Sequence, residues 1–116
     1  MINLKKLHHN AYRCNNSENT RKFYEDFLEL PLVDAFEIST TMTGRTTKVL
    51  HTFYSLNDGS CLAFFEVANK TLKYKKWHDF DLHIALQVDE NMLLKYYKLG
   101  KDNGIETRGI SDHGFI

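Results

Sequence analysis

Two histidines occupy matching positions in two similar segments of the sequence. When Leu7–Cys14 is aligned with Asp81–Val88, His9 falls on His83, and an alanine follows two positions later in both segments. Each segment is short and strand-like, and each leads into a helical pattern. The sequence therefore predicts two copies of one strand-helix-sheet module, paired about a pseudo-twofold axis.

The chemistry open to these two histidines is metal binding. Neutral imidazole is a suitable ligand for Zn²⁺, Fe²⁺, Ni²⁺ and Co²⁺. Strand alternation places each histidine opposite the core-facing residues of its strand, so two paired modules could bring His9 and His83 to one divalent ion. A single strand histidine is more often a hydrogen-bonded structural residue. It is the match between the two copies that favours ligation.

A carboxylate would complete such a site, and Glu66 is the candidate. It lies in Leu62–Val67, an otherwise apolar segment where an unpaired carboxylate would be costly to bury. The alternative is that Glu66 is a solvated residue at a sheet edge. His8 alternates away from His9 in an extended strand, so it is interpreted as a surface residue.

The elements that position these residues follow from local patterns in the first half of the chain. Four strands are predicted, at Leu7–Cys14, Leu32–Ser39, Val49–Leu56 and Cys61–Val67. A helix is predicted between an N-cap at Ser17 and Pro31, because apolar residues recur there at spacings of three and four. Thr40–Thr47 is predicted to be a loop or a loosely ordered edge. Asn57–Ser60 contains an Asp-Gly pair and predicts a tight hairpin turn.

The second half of the chain begins with a polar connection, Ala68–Phe80. Leu82–Val88 then alternates apolar and polar residues without a break, which predicts a strand with one core face. A helix should follow, with Asp89 as its cap and Asn103–Gly104 as its stop. Ile105–Ile110 is predicted to begin another strand.

Composition narrows the classes of partner. The fifteen basic and fifteen acidic side chains cancel, so no long-range field is available to attract nucleic acid or an anionic membrane. No apolar run approaches the roughly 20 residues of a membrane span, and the N-terminal residues lack the apolar stretch of a signal peptide. We therefore expect a cytoplasmic protein with a small-molecule partner. Cys14 and Cys61 are predicted to be unpaired thiols.

Several segments, taken together and in order, resemble the vicinal oxygen chelate superfamily, which includes glyoxalases, bleomycin-resistance proteins and extradiol dioxygenases. The most specific of them contains Phe23–Asp26. The resembling segments are Leu7–Arg13, Thr20–Leu32, Phe53–Gly59, Ala63–Glu66, His83–Leu86 and Asp112–Gly114. The resemblance thus covers nearly the whole chain.

The resemblance implies an α+β fold: tandem βαβββ modules forming a curled mixed sheet around a metal site, with the second module incomplete. It implies one domain over 1–116, made of module 1 (about 1–68), a linker (about 69–80) and a partial module 2 (about 81–116). His9 and His83 match the family's first-strand metal ligands. Glu66 matches the carboxylate that glyoxalase-like members supply from the fourth strand.

The sequence departs from the family pattern after Asp112–Ile116. In relatives, two more strands follow a segment of this kind, and in extradiol enzymes they carry the last glutamate ligand. Two interpretations are open: a truncated relative of an enzyme, or a cup that another chain completes. Exposed strand edges favour pairing between subunits, so a homodimer is expected.

Three functions remain open after this comparison. The first is a metal-dependent protein related to extradiol dioxygenases, which cleave catechol or biphenyl-diol rings with Fe²⁺ and bind substrates through vicinal oxygens. The second is a glyoxalase-type isomerase using Zn²⁺, Ni²⁺ or Co²⁺, with Glu66 moving the proton. The third is a bleomycin-resistance-type binding protein that needs no metal. His51 is a candidate substrate-binding residue, with a packed core histidine as the alternative.

Overall fold

The computed structural model describes residues 2–70, 73 and 82–111 of the chain. These residues divide into two compact units, Met1–Lys75 and Lys76–Ile116. Most of the predicted connection Ala68–Phe80 and all of Asp112–Ile116 lie outside the described residues.

The first unit contains one mixed four-stranded sheet. Its strands are β1 (His9–Arg13), β2 (Leu32–Thr40), β3 (Thr46–Ser55) and β4 (Cys61–Val67), and their order across the sheet is β1-β4-β3-β2. β4 pairs with β1 in parallel, whereas the β3–β4 and β2–β3 pairs are antiparallel. With the helix between β1 and β2, this unit is a βαβββ module, so the predicted α+β class is confirmed.

One face of the sheet is buried against the helix. Leu62 and Phe64 of β4 lie there with Tyr54 of β3, and these side chains form the core together with Cys14. The ring of Tyr24, from the helix, lies 4.7 Å from the Phe64 ring and 5.8 Å from the Tyr54 ring. Burial raises the pKa of the Tyr24 hydroxyl, which keeps this group neutral within the core.

The helix begins one residue earlier than the sequence predicts. Asn16 is its N-cap and accepts a hydrogen bond from the amide of Asn19 at 2.9 Å, whereas Ser17 is the first helical residue. The Asn16 side-chain oxygen satisfies an amide that has no partner within the helix, so it takes the capping role. α1 (Ser17–Arg21) continues directly into a π-helical segment, Lys22–Phe27.

The family-like signature in this helix has structural roles. Tyr24 is packed against the core, and the Glu25 carboxylate accepts a hydrogen bond from the backbone N–H of Leu32 at 2.7 Å. Arg21 forms ion pairs with Glu25 at 3.1 Å and with Asp26 at 2.9 Å. Glu25 therefore connects the helix to the start of β2.

The β3–β4 hairpin agrees closely with its prediction. β4 has the predicted bounds, and Gly59 in the turn has φ +83°, a conformation that glycine adopts without strain. Asp58 accepts hydrogen bonds from the Ser60 hydroxyl and, at 2.8 Å, from the Ser60 amide, and these bonds hold the Asp58 pKa below its usual value. β3 starts at Thr46, earlier than predicted, because Thr46 pairs with Thr40 and shortens the predicted loop.

The second unit contains one described helix. α2 (Glu90–Asp102) has Asp89 as its N-cap, with the Asp89 carboxylate accepting from the Met92 amide at 2.7 Å, and it is followed by Gly104 with φ +69°. These cap predictions are confirmed. The strands predicted at Leu82–Val88 and Ile105–Ile110 were wrong for the described residues, which form no strand there. A strand needs a neighbour for its backbone groups, and no described segment pairs with either one.

The described part of the chain contains no helix that is long and apolar enough to cross a membrane.

The buried face of the sheet makes a test of the fold. Leu62 is 4% exposed, and replacing it with alanine should lower the free energy of unfolding by about 2–5 kcal/mol, through lost burial and the cavity left behind. Met42 lies in the β2–β3 turn and is fully exposed, so Met42→Ala should change stability by less than about 0.5 kcal/mol. Urea unfolding followed by circular dichroism measures both. Equal effects of the two substitutions would contradict this packing.

Candidate functional site

His9 begins β1 on the face of the sheet that points away from the helix. Its register partner on β4 is Cys61, and alternation places Ala11 and Arg13 on the same face. The His9 side chain is exposed, and its ring lies 5.2 Å from the ring of Phe53 and 6.3 Å from the ring of His51. His9 is therefore an accessible imidazole at the edge of an aromatic surface.

His8 contacts His9 instead of pointing away from it. The two Nδ1 atoms are 2.7 Å apart, so one ring donates a hydrogen bond to the other. The prediction that His8 points away from His9 is wrong, because β1 starts only at His9 and His8 is not part of an extended strand. The contact uses Nδ1 of His9 and leaves the Nε2 side of the ring for a metal. A ligating histidine commonly has its second nitrogen held in this way.

His51 is packed within the sheet face that carries His9. It is 5% exposed, and its Nδ1 lies 2.9 Å from the carbonyl oxygen of Phe64. A carbonyl only accepts, so Nδ1 carries the hydrogen and Nε2 of the neutral ring is an acceptor. The ring stacks on Phe65 at 3.9 Å and lies 4.2 Å from Phe53. These contacts are those of a packed histidine whose tautomer is fixed.

The rings of three phenylalanines contact His51. Phe36 of β2 pairs with His51, and its ring lies 5.3 Å from the imidazole and 5.7 Å from the Phe53 ring. We call this set the aromatic face; its members are Phe36, His51, Phe53 and Phe65. The sequence analysis missed the three phenylalanines. Alternation from His51 would have indicated Phe53, but Phe36 and Phe65 depend on strand register.

Glu66 lies on the other face of the sheet, with the helix. It pairs with Leu50 and shares its side of β4 with Leu62 and Phe64. Its carboxylate accepts a hydrogen bond from the backbone N–H of Ser17, at the first turn of α1. The structure does not bring Glu66 and His9 together. An anion at this position satisfies a free amide and interacts favourably with the positive end of the helix.

His83 belongs to the second unit. Its side chain is exposed and lies in a described segment without regular secondary structure. Within residues 2–70, 73 and 82–111, no three histidine, cysteine, aspartate or glutamate side chains come together as a metal-binding group. The described imidazoles that are exposed and fit a divalent metal are His8 and His9 in the first unit and His83 in the second. Imidazole suits Fe²⁺, Zn²⁺, Ni²⁺ and Co²⁺.

Comparison with known families gives a match over almost the whole chain. The family described as "Glyoxalase/Bleomycin resistance protein/Dioxygenase superfamily" matches residues 6–115. No curated protein matches the chain.

The fold is shared with a solved structure of another protein. It is a glutamate-to-glutamine variant of the genomically encoded fosfomycin resistance protein FosX from Listeria monocytogenes, in complex with Mn(II) and 1S,2S-dihydroxypropylphosphonic acid. The TM-score is 0.62 at 17% sequence identity, and the alignment covers 96% of this chain and 79% of that chain. At this identity the likeness establishes the fold alone.

The position of Glu66 makes a testable distinction between a structural carboxylate and a ligand. Glu66→Ala should lower the free energy of unfolding by up to about 1.5–3 kcal/mol, because a charged acceptor of a backbone N–H is lost. It should leave metal affinity unchanged. The matched control is Glu37→Ala, an exposed glutamate on β2, with an expected change below about 0.5 kcal/mol. Weaker metal binding at full stability would contradict the structural role.

Proposed function

Because the chain belongs to the glyoxalase/bleomycin resistance protein/dioxygenase superfamily, we propose that it binds a divalent metal ion through His9 and His83 and acts on a small molecule with vicinal oxygens. The proposal leaves Glu66 out of the ligand set, since its carboxylate is used at the start of α1. The observation that supports metal binding is that His9 is an exposed imidazole whose Nδ1 is held by His8.

The aromatic face is the observation that favours a reaction class. Its rings lie next to His9 and present flat apolar surfaces, which suit a planar aromatic substrate through offset or edge contacts. This supports a relationship to extradiol dioxygenases, which act on catechols with Fe²⁺. When bound, the metal would supply the open coordination positions for the two oxygens of the substrate.

The chain's own residues have distinct roles in this proposal. His9 would hold the metal through the ring nitrogen that His8 leaves free, and His8 fixes the orientation of the His9 ring. His51 supports the aromatic face, because its ring packs against Phe53 and Phe65 and its Nδ1 hydrogen is donated to the Phe64 carbonyl. The phenylalanines of the aromatic face position the ring of the substrate and exclude water from it.

Glyoxalase-type isomerisation is less well supported. That reaction needs a carboxylate beside the metal to move a proton, and the carboxylate proposed for this role lies on the helix face.

A metal-free binding protein of the bleomycin-resistance type is the second candidate. The observation in its favour is that no three-donor cluster occurs within the described ranges 2–70, 73 and 82–111. The aromatic face would serve such a binder equally well.

The Listeria protein supports the chemistry only in general terms. Its structure contains Mn(II) and a small diol phosphonate, so the shared fold accommodates a divalent metal with a small oxygenated ligand.

A homodimer remains part of the proposal. Leu82, Ile84, Leu86 and Val88 are each between 37% and 51% exposed, and their segment pairs with no strand in the part of the chain that the structure describes. A second copy could supply a partner strand and cover these side chains. Light scattering should then give the mass of two chains. A monomer at micromolar concentration would contradict the proposed homodimer.

Metal binding is the first test of the proposal. Isothermal titration with Fe²⁺ or Mn²⁺ should show one site in the wild-type protein. His9→Ala and His83→Ala should each weaken binding at least about tenfold, the size of effect seen when a group that supports a metal site is lost. Glu66→Gln is the control and should bind as the wild type does. Unchanged affinity in both histidine variants, or no binding at all, would overturn the metal-dependent function.

Catalysis is tested separately with the metal-loaded protein. We expect oxygen uptake with catechol or 2,3-dihydroxybiphenyl, reduced at least about a hundredfold in Phe53→Ala and His9→Ala, since both positioning and ligation are needed. Met42→Ala should keep full activity. Isomerisation of a hemithioacetal without oxygen uptake would instead support the glyoxalase type. Inactivity in both assays, with catechol still bound by metal-free protein, would support the binding protein.

A further inference from the structure

A second potential binding site lies in the first unit and shares Phe65 with the aromatic face. It is a cavity of about 370 Å³ near the β2–β3 turn, and its size falls within the range of small-molecule sites. We call it the basic cavity. It is lined by Arg13, Ile38, Thr41, Arg45, Thr46, Thr47, Val49, Phe65, Val67 and Lys70.

The charge of the basic cavity is one-sided. Arg13, Arg45 and Lys70 line it, and no aspartate or glutamate does. Within the described ranges, none of these three cations forms an ion pair with a carboxylate; the ion pairs there belong to Arg21. The chain as a whole has a net charge of zero, so this local excess of positive charge is a feature of the cavity.

Hydrogen bonds hold the Arg13 side chain and the backbone turn that carries Arg45. The Arg13 guanidinium donates to the backbone carbonyl of Lys70 at 3.1 Å, which joins the end of β1 to the end of β4. The turn that carries Arg45 is closed by two hydrogen bonds, from the Thr41 amide to the Arg45 carbonyl at 2.9 Å and from the Arg45 amide to the Thr41 hydroxyl at 3.1 Å. These contacts leave further guanidinium N–H groups to bind an anion.

The rest of the lining of the basic cavity consists of three threonines and four apolar residues. Val49 is buried, and the ring of Phe65 also stacks on His51. Ile38 and Val67 are the other two apolar lining residues. A ligand that fits both parts has an anionic head and a small apolar body.

We propose that the basic cavity binds the carboxylate or phosphate group of a small organic molecule, independently of any metal at His9. Arginine pairs with both oxyanions through two parallel hydrogen bonds, and the threonine hydroxyls can donate to the same group. Arg13 is four positions from His9 along β1, which corresponds to about 13 Å. A ligand can therefore occupy the basic cavity without reaching the His9 imidazole.

The test uses metal-free wild-type protein and three matched probes: benzoate, phenyl phosphate and the neutral benzamide. Binding is followed by ¹H–¹⁵N chemical shift changes, with Arg45→Gln as the main variant. Lys70→Gln, within the cavity, is compared with Lys48→Gln, a control on β3 that does not line the cavity. The ¹⁵N spectrum of each variant also shows whether it is folded.

The proposal predicts saturable shifts at Thr46 and Val67 with benzoate or phenyl phosphate. Arg45→Gln and Lys70→Gln should weaken this binding about fivefold to tenfold, because a charge-assisted hydrogen bond is lost. Lys48→Gln should bind as the wild type does, and benzamide should not bind. The relative affinity of the two anions tells whether the site prefers a carboxylate or a phosphate. Equal binding of benzamide, equal losses in all three variants, or no saturable shift with either anion would overturn the proposal.

Discussion

The position of β4 between β1 and β3 is the constraint on which the rest of the first unit depends. β4 pairs with one neighbour in parallel and with the other antiparallel, so its side-chain alternation assigns the faces of all three strands. Leu62 and Phe64 turn one face toward Tyr24 of the helix, and the core forms there. The opposite side of the sheet then carries His9, the four rings of the aromatic face and the residues of the basic cavity. Packing on one side of the sheet thus determines which side chains lie on the other.

Local patterns predicted the elements well where the physical cause is itself local. The β3–β4 turn and the Asp89 cap depend on nearby backbone geometry, and both were confirmed. Local patterns could not predict which face of the sheet Glu66 occupies. Alternation in β4 groups Glu66 with Leu62 and Phe64, but the intervening side chains of Ala63 and Phe65 are also apolar, so the sequence does not tell which face meets the helix. The partner that decides it, the Ser17 amide, lies 49 positions away.

In Leu82–Val88 a clear sequence pattern led to a wrong prediction. Its alternation is the clearest in the chain, yet its described residues form no strand. A pattern shows which side of a strand would be buried, but strand formation also requires a neighbour that can satisfy the backbone. Family resemblance supplied what local physics could not, since it joined many weak segments into one match across residues 6–115. The internal repeat and the resemblance both singled out His9, whose side chain is exposed in the structure.

The central claim is that chemistry occurs on the His9 face of the sheet, while Glu66 stabilises the helix on the other face. Titration with paramagnetic Mn²⁺, followed by NMR line broadening of side-chain resonances, tests it directly. Glu66 lies five positions along β4 from the register partner of His9, a separation of about 16 Å. The account predicts that the His9 and Phe53 resonances broaden first, while those of Glu66 and Ser17 stay sharp at low Mn²⁺. Broadening that begins at Glu66 and Ser17 would contradict it.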